Sequence, residues 1–283
     1  MKNFILSIIT LFIYSCSPKI IVNTVNKLEE TKQHEGFAVF GINDTFDTTG
    51  GKYLGEIKIK DSGLTIDCNY ENAIKLGEAE ARKLGGNTLK VIVHKLPDIF
   101  SQCHQITGSV YKLSDISKYE KKIIWNENRK LKQIDFKGNI ENRPFEAATS
   151  SYFDYNYSGR VFQGKIKFTV TTVFDCEKSY FKGTYQVDTV LAHEQGHFDI
   201  TELYARKFFK KITEEVKNTK DLENNIHRIY DNCIKELQIE QDKYDSDIYL
   251  DETKQAIWLK NLQEELKKYE KYSNKQIFIK ILL

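Results

Sequence analysis

Several things are scarce in this chain. Three prolines occur among its 283 residues, which excludes long proline-rich linkers. The charges nearly cancel, with 42 Lys and Arg against 40 Asp and Glu. That balance, without any basic motif, gives no electrostatic footprint for nucleic acid, and no nucleic-acid partner is expected. None of the five cysteines lies in a Cys-x-x-Cys pair, so a zinc ribbon or a thioredoxin-type site has no support. The N-terminal apolar run from Phe4 to Tyr14 is too short to span a bilayer comfortably as a helix. There is no internal repeat and no low-complexity tract. What remains is an ordinary globular composition, 40% hydrophobic and 29% charged, in a chain long enough for one large domain or two modest ones.

The first sixteen residues, "MKNFILSIITLFIYSC", place Lys2 before the apolar run and Ser15-Cys16 after it. This pattern predicts a secretory signal peptide over 1–15. The "IYSC" ending resembles a bacterial lipobox. The resemblance implies lipidation of Cys16, anchorage to a bacterial membrane and a place in the cell envelope. Residues 16–35 are polar and are expected to form a tether. Lipidation of Cys16 would leave four cysteines, an even number in an exported protein. Pairing within domains would join Cys68 to Cys103 and Cys176 to Cys233, although four cysteines allow three connectivities and the sequence does not choose among them.

From 36 to 114 the pattern reads strand, strand, helix, strand, strand. "GFAVFGI", "KYLGEIKIKDSG", "TLKVIVHKL" and "ITGSVYKL" supply the strands. "NYENAIKLGEAEARKLGGN" has apolar residues at helical spacing and stops at Gly85-Gly86-Asn87. The segment is expected to be a small α+β domain. Its Leu-Gly strand, its helix ending in Gly-Gly-Asn and its closing "GSVY" strand resemble the small envelope domains of bacterial lipoproteins related to the Rcs stress sensor, over residues 37–113. That resemblance implies a disulfide-tolerant binding or sensing module.

"SDISKYEKK" (114–122) is a charged bridge, and a second domain is expected over 120–283. Between 150 and 181 aromatic and β-branched residues, notably Phe162, Ile166, Phe168, Val170 and Val173, alternate with polar ones, as in half-buried antiparallel strands. From Val187 the period turns helical, with Thr184 or Asp188 as a candidate cap. Two or three further helices follow, at about 219–245 and about 250–271. The fold class expected is α+β throughout. With the His-Glu-x-x-His pattern of residues 193–197 on its first long helix, the second domain is expected to be zincin-like: an antiparallel sheet, an active-site helix, then C-terminal helices.

That helix carries "LAHEQGHFDITELYARKF" (191–208). His193 and His197 lie about 40° apart on one face, one turn from each other. Two imidazoles so placed can bind one tetrahedral zinc ion, and Glu194 beside them can take a proton from a zinc-bound water. Gly196 lowers helix propensity by about 1 kcal/mol relative to Ala, which suggests close approach of an edge strand or a substrate backbone. A zinc site needs a third protein ligand. Glu202 lies about 140° around the helix from His197, and Asp199 about 200°. Both face away and suit packing or ion pairing better. Glu236, Glu240, Asp242, Asp245 and Asp247, from a later helix, remain candidates. His34, His94 and His104 carry no assigned role, and His227 is to be judged by its distance from the pair.

"IIWNENRKLKQIDFKG", "AATSSYFDY", "VLAHEQGHFDITELYARK" and "QDKYDSD…W" occur in the same order as in an uncharacterised bacterial family of predicted zinc-dependent proteases, which residues 123–260 resemble. The resemblance implies that His193 and His197 are metal ligands and Glu194 the general base. It implies orienting roles for Asp199 and Glu202, Asp245 as first choice for the third ligand, and Tyr244 as an oxyanion donor. The sequence departs from the family where Ile248, Tyr249 and Leu250 stand in place of Thr-x-His-Gly, and where Gln133 or Ile134 replaces a Trp. The expected function is a membrane-anchored envelope zinc metallopeptidase. Its peptide or protein substrate would be held by β-augmentation on a strand between Phe162 and Cys176. The alternative is a non-catalytic envelope lipoprotein, a sensor, assembly factor or degenerate peptidase, with a structural or empty metal site.

Overall fold

A computed structural model describes residues 18–62, 68–99, 101–160, 164–248 and 251–282. The expected signal peptide and Cys16 lie outside the described residues. The fold is mixed α+β, and the chain divides into two compact units between Ile116 and Ser117.

The N-terminal unit is built from β1 (Lys19–Thr24), β2 (Ala38–Phe40), β3 (Lys52–Lys60), α1 (Tyr70–Lys83), β4 (Thr88–Lys95) and β5 (Gln105–Lys112). They form a five-stranded sheet in the order β1-β3-β5-β4-β2, with β2 parallel to β4 and the other neighbours antiparallel. Asn69 caps α1 by accepting the Asn72 N–H at 2.8 Å. Gly85, at φ 83°, ends the helix, and the Gly86 N–H returns to the Ala81 carbonyl at 2.9 Å. Ala73 and Ala81 of α1 pack on Leu54, Ile57, Leu89, Ile106 and Val110. Asn87 then holds Leu113 through both its carbonyl and its amide, each at 2.8 Å. The Cys68–Cys103 disulfide is present.

The expected tether is instead part of this fold. β1 pairs with β3 from Lys19–Lys60 to Thr24–Gly55. Ile20 and Val22 pack against the core, and Arg82 donates to the carbonyls of Lys32 and Glu35. Three apolar residues in a polar stretch carry little signal, but an edge strand needs only one apolar face.

The C-terminal unit contains β6 (Lys122–Ile124), β7 (Ala147–Ala148), β8 (Ser151–Arg160), β9 (Lys165–Asp175), β10 (Tyr180–Phe181), α2 (Val187–Glu215), α3 (Thr219–Ile248), α4 (Glu252–Lys268) and β11 (Gln276–Lys280). β9 is central. It pairs with β8 along one edge, and with β11 and β6 end to end along the other, all antiparallel. The strand expected to accept a peptide therefore has no free edge. α2 packs on the sheet through Ile200, Tyr204 and Phe208, against Phe153, Phe168 and Val170.

Two further expectations are corrected here, and one strand is added. Cys176 and Cys233 are free and buried. Cys176 lies among Phe136, Phe174, Phe181 and Phe198, whereas Cys233 belongs to the cluster around α2 and α3. Burial pushes both thiol pKa values up, that of Cys176 to about 12. α2 has no side-chain cap. It starts after Gln186 at φ 36°, while Thr184 donates its N–H and hydroxyl to the Glu146 carboxylate at 2.6 and 2.7 Å. The C-terminal β11, which sequence periodicity did not suggest, closes the sheet.

α2 is held by a buried ion-pair network. The wholly buried Glu202 carboxylate accepts from Arg206 at 2.8 Å, Thr172 at 2.6 Å and Lys275 at 2.8 Å. Arg206 also reaches the Leu266 carbonyl and Glu270. Removing one partner of such a network strands the others without compensation. Glu202→Ala is therefore expected to lower the unfolding free energy by about 3–5 kcal/mol in urea denaturation; a loss under about 1 kcal/mol would contradict the role assigned to the network.

Candidate metal centre

α2 and α3 meet at a point fixed by a glycine. A Cβ on Gly196 would lie 2.3 Å from the hydroxyl oxygen of Tyr244 and 2.7 Å from its Cζ. The close approach inferred from this glycine is thus real, but the neighbour is a tyrosine side chain, not an edge strand or a substrate. The Tyr244 hydroxyl donates to the His193 carbonyl at 3.4 Å, and its ring stacks on His193 with centroids 5.0 Å apart. Tyr244 is 0% exposed. Burial, then the nearby Glu194 and Asp245, push its pKa up, so it remains a donor. Its hydroxyl is spent on the backbone of the histidine helix. It braces that helix, which is a different position from that of the oxyanion donor expected.

Docked this way, α3 delivers Asp245 to the histidine pair. Asp245 Oδ1 lies 3.2 Å from His193 Nε2 and 3.0 Å from His197 Nε2, and the two Nε2 atoms are 3.0 Å apart. Among the described residues these three form the group able to hold a metal ion. A tetrahedral ion with bonds of about 2.0–2.1 Å separates its ligand atoms by about 3.3 Å, so the triangle fits after shifts of a few tenths of an ångström. Side-chain exposure is 14% for His197, 24% for His193 and 57% for Asp245, which opens the group to solvent on the Asp245 side.

The electrostatics favour a cation at this point. Burial opposes ionisation of Asp245, but hydrogen bonds from His193 and His197 outweigh it and hold the carboxyl well below its usual range. Burial likewise opposes a charge on His197, yet the hydrogen bond to Asp245 and the charge of Glu194 raise its pKa. A field that favours an imidazolium also favours a metal ion in its place. Glu194 is 3% exposed. Its Oε2 is buried and has no hydrogen-bond partner among the described residues. Such an orphaned carboxylate oxygen is costly in a closed interior and fits a site meant to receive a polar ligand.

The other acidic candidates are elsewhere. Glu202 is in the ion-pair network. Glu236 pairs with Lys211 at 3.2 Å, Asp242 accepts from Gln238 at 2.7 Å, Asp247 accepts from the Trp258 indole at 3.3 Å, and Glu240 lies near Tyr204, whose pKa is pushed up by burial and then by Glu240. Asp199 accepts from Trp125 and Gln195, each at 2.7 Å, and from Gln263 at 3.0 Å. It thus fastens the histidine helix to the β6 loop and α4, and these hydrogen bonds go to neither histidine ring. His227 does not join the group. His94 and His104 contact each other in the N-terminal unit, with ring nitrogens 2.8 Å apart.

One residue of the site escaped the sequence reading. Gln241 Oε1 lies 2.5 Å from His197 Nδ1. Its signal was positional: it precedes Asp245 by one helical turn and so shares its face.

Gly196→Ala should force α2 and α3 apart. The expected cost is about 1–3 kcal/mol, as for overpacking, together with loss of metal binding measured by calorimetry. Unchanged metal affinity would refute the close-packing argument.

No curated protein matches the chain, and no solved structure does. Residues 127–249, which include both histidines, Glu194, Gln241 and Asp245, match a family described as "Bacterial protein of unknown function (DUF922)".

Proposed function

We propose that the C-terminal unit is a zinc-dependent peptide hydrolase, presented in the bacterial cell envelope on an acylated Cys16. The observation that carries this reading is the conjunction of a three-atom ligand group with the partnerless buried oxygen of Glu194. Two imidazole nitrogens and a carboxylate oxygen are a donor set suited to zinc. Zinc held there would act as a Lewis acid and lower the pKa of a water in the site towards about 7. Glu194 adjoins His193 in sequence and its charge acts on His197; in this reading its buried oxygen, which has no partner among the described residues, takes a proton from the attacking water. The same oxygen then returns the proton to the leaving amine. Tyr244 and Asp199 hold the ligand helix in place while this happens.

A closed structural site would need a fourth protein ligand. Among the described residues none joins the three, and the half-exposed Asp245 leaves access from solvent, which favours an enzyme over a structural centre. For an extended substrate, the outer edge of β8 replaces the fully paired β9. Ser151, at its start, contacts Thr201 of α2 at 2.7 Å, which ties that end of the strand to the ligand helix. Farther along, the edge is blocked, since the Phe153 carbonyl already accepts from the Tyr230 hydroxyl at 3.1 Å. No helix among the described residues is long and apolar enough to cross a membrane.

The full chain purified without chelators is expected to carry zinc by elemental mass spectrometry, and His197→Ala to lack it. Glu194→Gln should keep the metal and lose about 10²–10⁴-fold in hydrolysis of unstructured protein substrates. Zinc-free wild-type protein, or a Glu194→Gln variant of full activity, would reject the proposal. Cys16→Ser should abolish incorporation of a labelled fatty acid and release the chain from the membrane fraction. If the wild-type chain takes up no label, the anchor is excluded.

A further inference from the structure

The contacts of Gln241 bear on which nitrogen of the neutral His197 ring carries the proton. Gln241 Nε2 lies 3.0 Å from the backbone carbonyl of His197 and 3.2 Å from Thr201 Oγ1. A carbonyl oxygen can only accept, so the amide atom facing it must be the NH₂ group. Thr201 gives its own proton to the same carbonyl at 3.0 Å, so its oxygen accepts from Gln241, and the Ser151 hydroxyl, 2.7 Å away, is its remaining donor. Thr201 is wholly buried, so no water competes for these bonds. The amide is therefore fixed in one orientation, with Oε1 against His197 Nδ1. Oε1 cannot donate, and so Nδ1 must.

We propose that Gln241 is a positioning residue that holds His197 as the Nδ1–H tautomer and keeps the Nε2 lone pair directed at the point shared with His193 Nε2 and Asp245 Oδ1. The inference rests on the metal-site reading above and adds how that site is kept ready. Asp245 creates the need. Its Oδ1 is 3.0 Å from His197 Nε2, so an imidazole left to itself would protonate Nε2 and donate to this carboxylate, blocking the ligand position. Gln241 opposes that by offering Nδ1 an acceptor. The second hydrogen bond to a ligating histidine commonly fixes its tautomer and its ring in this way. Here the acceptor is a neutral amide, so no negative charge is added beyond that of the nearby carboxylates. One stretch of α3 thus supplies both a ligand and the group that prepares another ligand.

The test uses the full chain labelled with ¹⁵N at histidine. Long-range ¹H–¹⁵N correlations of the metal-free protein, at a pH that leaves the imidazoles neutral, report the tautomer directly. Zinc affinity is read by competition with a chromophoric chelator. Wild type should show Nδ1–H at His197. Gln241→Met, similar in size but without hydrogen bonds, should shift to Nε2–H and lose about 10–100-fold in zinc affinity. An Nε2–H tautomer in wild type overturns the proposal, and this result does not depend on whether any variant folds. So does a folded Gln241→Met that binds zinc like wild type. Nδ1–H in wild type without zinc binding would support the positioning role and defeat the zinc reading instead.

Discussion

The C-terminal unit depends on how closely α2 and α3 approach at Gly196. Tyr244 occupies the space a side chain there would need, and no other residue type leaves that space. The approach brings Asp245 and Gln241 of α3 within hydrogen-bond distance of the two histidines. The glycine weakens the helix locally by about 1 kcal/mol, and what it permits is the junction on which the whole group of ligands rests. Ring stacking of Tyr244 on His193 and the hydrogen bond to the His193 carbonyl then secure that junction.

A second layer of contacts keeps α2 itself from moving. Asp199 gathers Trp125, Gln195 and Gln263, and Glu202 gathers Arg206, Thr172 and Lys275. The Arg206 guanidinium lies over the Trp125 ring at 5.1 Å, so the two networks share a side chain stack. Burial pushes the Asp199 pKa up against the opposing pull of Lys130, Trp125, Gln195 and Gln263. Segments far apart in sequence, from the β6 loop to the residue preceding β11, therefore converge on one helix. Sites that must hold ligand atoms to within a few tenths of an ångström require this sort of support.

Much of this was legible in the sequence, for physical reasons that differ by element. The α2 histidines share a face because helical geometry is local and periodic, and β8 and β9 alternate because one sheet face is buried against α2. Helical geometry narrowed the third ligand only to a group of acidic residues, since its choice depends on the docking of α3, a long-range event; it was the family resemblance that put Asp245 first. Gln241 was invisible for the same reason, and because a neutral amide carries no chemical signature in a sequence. β1 was missed because an edge strand with one apolar face looks like a polar linker. The pairing of Cys176 with Cys233 failed because an even count does not determine neighbours: each thiol is enclosed by its own apolar cluster.

The three side chains able to hold a metal ion are unequally covered: His197 least exposed, His193 next, Asp245 most. An ion in this site would have its two nitrogen bonds in the interior and its oxygen bond at the rim. Solvent therefore reaches the group from its carboxylate side, three residues before the end of α3 at Ile248, and not from the helix that carries the recognisable motif.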